Sequence, residues 1–136
     1  RRVIFGEDVT TGGHVGLTRS IALNPELSAR LVATPLVPTT MFAHAAGVAL
    51  AGGMPIVVLP SAASLVDGLS GLRELARLRA TTKYQQGVPA LILAPSGAGF
   101  GLGGDTAWSG QSLACQLPGL RVHELGSPSR AAQTLR

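Results

Sequence analysis

Short runs, most of them rich in apolar residues, separated by longer stretches with apolar side chains at helical spacing, limit most strongly what this chain can fold into. A run of a few residues is too short for an ordinary helix, and a segment with a 3.6-residue period cannot lie as a strand with one apolar face. The alternation therefore predicts strands and helices taken in turn. The candidate strands are residues 2–6, 31–33, 55–59, 90–94 and 121–124. Four of the five are continuous or nearly continuous in apolar residues, as expected of strands buried on both faces. The predicted fold class is α/β, with three layers and a mostly parallel sheet covered by helices.

Between these runs, residues 18–24 read as a short helix stopped by Pro25, and residues 39–51 as a helix ended by Gly52 and Gly53. Residues 64–82 carry Leu65, Leu69, Leu72 and Ala76 at spacings of four, three and four, widened by Leu75 and Leu78, so one stripe is predicted to face the sheet. Residues 111–116 and 127–136 read as shorter helices.

The length of 136 residues suits one domain, residues 1–136, and the start inside a strand suggests a piece of a longer chain. With 46% hydrophobic residues, 13% charged and 18 glycines, the composition predicts a folded unit with close backbone packing. A lone cysteine, Cys115, forms no internal disulfide, and no Cys/His spacing fits zinc, so a cytoplasmic location is expected. Pro and Gly interrupt every apolar run before it is long enough to span a membrane. The net charge of +4 invites a nucleic-acid reading. Against it, the basic residues are scattered, and the one concentration, Arg73, Arg77, Arg79 and Lys83, includes Glu74 at helical spacing and no aromatic platform.

Gly6-Glu7-Asp8-Val9 with Gly12-Gly13, then Thr34-Pro35-Leu36, then the small-residue stretch from Ala43 to Gly52, form an ordered series of motifs. Pro55-Ile56-Val57, Val88-Pro89-Ala90-Leu91-Ile92, Pro95-Ser96-Gly97-Ala98-Gly99 and Leu117-Pro118-Gly119-Leu120-Arg121-Val122 continue it. Together they resemble the transketolase-like pyrimidine-binding domain of the beta subunit of the decarboxylase component of pyruvate and branched-chain 2-oxoacid dehydrogenases. The resemblance implies a thiamine-diphosphate-binding fold of the pyrimidine type and covers most of the chain.

The family's chemistry does not carry over with the motifs. The resemblance places the glutamate that drives the cofactor's imino tautomer at Pro38, which has neither a carboxylate nor a backbone N–H. The aromatic positions beside the aminopyrimidine fall on Ala62 and Ser64, and the histidine after the Gly-rich loop falls on Thr106. Loss of a carboxylate, an aromatic surface and an imidazole implies that thiamine-diphosphate activation is gone, so no cofactor is expected. The pyrophosphate and magnesium belong to a partner domain with a Gly-Asp-Gly motif, which this sequence lacks.

Other signals are weaker. Gly99-Phe100-Gly101-Leu102-Gly103-Gly104 fits a Gly-x-Gly-x-x-Gly pattern with Glu124 twenty residues on, but several residues separate it from the preceding strand. His14, His44 and His123 lie in different elements, Glu7, Asp8 and Asp105 suit loop or capping roles, and Ser109 and Ser112 lack a nucleophile elbow. On the 39–51 helix, Ala43, Gly47 and Ala51 fall four apart, with His44 beside them, which predicts either an interface or close packing on the chain's own sheet. The leading expectation is a catalytically silent relative that self-associates or contacts a partner protein. Its rivals are a divergent beta-type subunit that binds thiamine diphosphate with a partner, and a small-ligand module using a pocket beside Pro38, Ala62 and Thr106.

Overall fold

The computed structural model describes residues 2–81, 88–97, 99, 101 and 103–134. Four strands, β1 (Arg2–Gly6), β2 (Leu31–Ala33), β3 (Met54–Val58) and β4 (Leu91–Leu93), form one sheet in the order β2-β1-β3-β4, and every pairing is parallel. Side chains on β1 alternate between faces. Phe5 enters a core with Val57, Leu59, Met41, Phe42, Ala45, Leu72 and Leu75, whereas Ile4 enters a second core with Val9, Leu31 and Val58. Apolar clusters thus lie on both sides of the sheet, as an α/β architecture requires.

The first core is covered by α3 (Pro38–Leu50) and α5 (Leu69–Thr81), which pack extensively on each other. The second face carries α1 (Arg19–Ala22), whose Ile21 and Ala22 pack against Ile4, Val9, Leu31 and Val58. Further one-turn helices are α2 (Pro25–Ser28), α4 (Ser64–Asp67), α6 (Gly104–Ala107) and α7 (Gln111–Ala114), and α8 (Pro128–Thr134) lies near the C-terminus. Among the described residues no helix is long and apolar enough to cross a membrane.

Several sequence expectations need correction. Residues 121–124 are not a strand: they have no regular structure, and Arg121, His123 and Glu124 are exposed. Only Val122 in that run is apolar, and one half-buried side chain does little to offset the entropy of ordering a further strand. Neither is β2 buried on both faces, because at the sheet edge Val32 and Ala33 remain exposed. Pro25 does not merely stop a helix; it occupies the first turn of α2, where its missing N–H is no loss, and the Asn24 side chain caps that turn by accepting from the Glu26 and Leu27 amides.

The expected helix over residues 64–82 is two helices, with the break at Gly68. The leucine stripe is continuous across the break and so conceals it. A Cβ at Gly68 would lie 2.7 Å from Pro38 Cβ, and one at Gly71 would lie 2.8 Å from the Thr39 carbonyl oxygen. Both glycines therefore let this segment approach α3 more closely than any side chain would allow. Thr82 lies outside the described residues.

Candidate functional site

In the order β2-β1-β3-β4, the chain leaves β1 toward one side to form β2, then returns across β1 to form β3. This reversal opens a crevice outside the carboxyl ends of β1 and β3, where open parallel sheets commonly hold ligands. A cleft of about 360 Å³ lies there. His14 from the segment after β1, and Leu36 from the segment after β2, form part of its wall. Pro60, Ser61, Ala63, Ser64 and Asp67 follow β3, and Asp105 and Thr106 lie on α6.

The loop carrying His14 is fastened from several directions. The Gly13 amide donates to the Asp8 carbonyl at 2.8 Å, and the buried Thr18 hydroxyl donates to the Val9 carbonyl at 2.8 Å. Beside His14, Val15 has φ 51, a left-handed conformation that is strained for a β-branched residue. Gly6 ends β1 where a Cβ would collide with the Val58 carbonyl oxygen, so glycine keeps β1 and β3 in register at the mouth of the crevice. On the far wall, the Leu59 amide donates to the Leu93 carbonyl at 2.9 Å and the Ala62 amide to the Pro95 carbonyl at 2.7 Å, tying the end of β3 to the end of β4.

The cleft has an acidic wall in a chain whose net charge is +4. Its acids are Asp67 and Asp105, and among the described residues no Lys or Arg lines it. Ser61 and Ser64, which also line the cleft, are buried at 6% and 8% exposure. The Thr106 hydroxyl donates to the Gly103 carbonyl at 3.1 Å, which leaves its lone pairs as acceptors. At the end of β2, Thr34 Oγ1 is buried without a partner among the described residues.

Of the positions singled out by resemblance, Ser64 and Thr106 meet at the cleft. Pro38 and Ala62 do not line it. Pro38 is buried at the first turn of α3, and Ala62 is packed into the core with Leu65. The expected pocket beside Pro38, Ala62 and Thr106 is therefore displaced toward Ser61, Ser64 and Asp67. Sequence reasoning missed Ser61 and Asp67, which have no motif of their own; their position just after a buried strand was the available signal.

The four interface candidates, Ala43, His44 and Gly47 on α3 and Ala51 just past its end, are all exposed. The ring of His44 nevertheless lies 5.0 Å from that of Phe5, tilted by 47°. Among the described residues, a Cβ at Gly47 would meet nothing within 4 Å. Ala43, Gly47 and Ala51 are exposed, whereas His44 reaches Phe5 of β1; the buried, sheet-facing positions of α3 are Met41, Phe42, Ala45 and Ala49.

The remaining candidates stay apart. His123, Ser109 and Ser112 are exposed, and none lines the cleft. Glu7 and Asp8 are exposed at a turn in which the Asp8 carbonyl accepts from the Thr11 and Gly13 amides. In the glycine pattern, Phe100 and Leu102 lie outside the described residues; its last glycine, Gly104, opens only the single turn of α6. Arg73 and Arg77 share Glu74 at 3.5 and 3.1 Å on an exposed helix face, while Lys83 and the Arg79 side chain lie outside what is described. Among the described residues, no three His, Cys, Asp or Glu side chains gather as a metal site would require.

No protein-family model matches this chain, and no curated protein matches it either.

Proposed function

We propose that this chain is a catalytically silent relative of the thiamine-diphosphate pyrimidine domain whose role is self-association through the outer face of α3. The observation that carries the reading is the exposed stripe of Thr40, Ala43, Gly47 and Leu50 on α3, continued by Ala51 just past its end, with no described residue within 4 Å of a Cβ placed at Gly47. Small side chains let a second backbone approach closely and lose little rotamer freedom on burial. His44 at the margin of the stripe supplies a polar group that can orient such a contact.

The silent character rests on the replacements at Pro38, Ala62, Ser64 and Thr106. Pro38 and Ala62 are committed to packing, and Ser64 and Thr106 offer hydroxyls where the resembled family needs a stacking ring and an imidazole. Neither set of contacts would position or activate a thiazolium. A beta-type subunit that still uses thiamine diphosphate with a partner is the reading this one opposes.

Sedimentation equilibrium over a wide concentration range, with calorimetric titration of thiamine diphosphate and magnesium, tests both parts. The expected result is a concentration-dependent dimer or larger species and no binding of thiamine diphosphate at micromolar levels. A monomer at the highest concentration would contradict the assembly role, and saturable micromolar binding of the cofactor would contradict the silent one.

A further inference from the structure

Beside α3, part of the sheet is left without a cover. Phe5 and Val32 are register partners in the parallel pairing of β1 and β2, so both side chains stand on the face that α3 and α5 cover. Phe5 is fully buried there, whereas Val32, on the edge strand, is 43% exposed. The helices thus stop short of β2. We propose that a second copy of this chain covers this open flank, in one contact that runs from the stripe on α3, past His44, to Val32. It rests on the self-association reading and extends that contact beyond the helix.

Two observations carry it. The first is continuity between stripe and flank. The His44 ring lies 5.0 Å from the ring of Phe5, the sheet neighbour of Val32, so His44 joins the two surfaces. Val37, His44, Val48 and Ala51 follow at spacings of seven, four and three, which sets them along that same side of α3. Val37 is 49% exposed and Val48 is half-buried. Together with Val32 they make a surface that carries no carboxylate, ammonium or guanidinium, as the centre of a protein contact requires.

The second observation is area. A specific interface takes about 20–30 residues a side. The stripe has five, and Ala43, Gly47 and Ala51 among them are small, so a stable dimer must draw on surface next to it. On one side of α3 that surface belongs to α5, whose exposed face carries Arg73, Glu74 and Arg77, charges that are costly to strip of water. On the other side it is the flank at Val32. A two-fold pairing presents the same two surfaces on each copy, so the stripe and flank of one can meet those of the other.

Isotope-filtered NMR on an equal mixture of labelled and unlabelled chains reads the contact directly. Cross-copy NOEs are expected between the Val32 methyl groups and α3 of the second copy. Val32→Lys should raise the dimer dissociation constant at least about tenfold in sedimentation equilibrium, because a two-fold contact carries each change twice. Leu23→Lys adds the same charge at a residue that is 75% exposed beside α1, on the other face of the sheet, and should shift that constant no more than about twofold. Native circular dichroism in both variants would establish that the fold persists. Cross-copy NOEs confined to the two α3 helices, or a Val32→Lys dimer as tight as the parent, would overturn this inference and leave the α3 contact standing. NOEs from Val32 to another segment of its own copy would overturn it too, by assigning the flank to the chain itself. A parent that stays monomeric would overturn both.

Discussion

The two faces of α3 are built from similar residues and meet opposite surroundings. Its inner face, with Pro38, Met41, Phe42, Ala45 and Ala49, is buried against the sheet and α5. The outer face, with Ala43, Gly47, Leu50 and Ala51, is exposed. Glycine marks both, yet for different reasons. Gly71 of α5 has the Thr39 backbone 2.8 Å from where its Cβ would be, whereas no described residue lies within 4 Å of a Cβ at Gly47. A glycine inside a helix lowers its stability by about 1 kcal/mol relative to alanine, so it needs a reason to be there. At Gly71 the reason is contact within the chain. At Gly47 no described residue makes such a contact, and the proposed contact with a second copy would supply one.

The comparison can be broken on either face. Phe42→Ala removes the largest fully buried side chain of the inner face and is expected to lower unfolding free energy by about 3–5 kcal/mol, measured by urea denaturation. A matched pair of glycine substitutions comes next. Gly71→Leu forces a side chain into the Thr39 backbone, with an expected loss of about 1–3 kcal/mol even after helix propensity is counted. If Gly71→Leu proved as stable as the parent, the close approach of α5 to α3 would be wrong. Leu50→Ser, on the outer face, should change the stability of the folded monomer by no more than about 0.5 kcal/mol while weakening self-association, read by light scattering as a lower mean mass. An unchanged mass would remove Leu50 from the contact.

The sequence made the inner face of α3 and its partner stripe partly legible. Leu65, Leu72 and Leu75 are buried as their spacing requires, and β1 and β2 lie where continuous apolar runs placed them. The break at Gly68 was hidden because the leucine period continues through it, and a period reports which face is apolar rather than whether the backbone is continuous. Residues 121–124 misled in the other direction, since a short segment between turns is strand-like in outline without the apolar side chains that would fix it.

The candidate site was less legible than the fold. Ser64, Thr106, Asp105 and His14 each stood out for separate reasons, and only the strand order brings them to one cleft. Ser61 and Asp67 had nothing in their local sequence to single them out, because a site at the carboxyl edge draws on four segments far apart in the chain. Exposure of the Ala43, Gly47 and Ala51 stripe was likewise beyond reach of periodicity: both faces of α3 are apolar, so the pattern could not say which one the sheet takes.

Gly47→Leu tests the central claim most directly. No described residue lies within 4 Å of the added Cβ, and exchanging glycine for leucine in a helix favours the fold by several tenths of a kcal/mol to about 1 kcal/mol. The account therefore expects sedimentation equilibrium to show an associated parent and a largely monomeric variant, with native circular dichroism and a thermal midpoint no lower in the variant. A Gly47→Leu chain that associates as the parent does would contradict the claim that the outer face of α3 is where two copies meet.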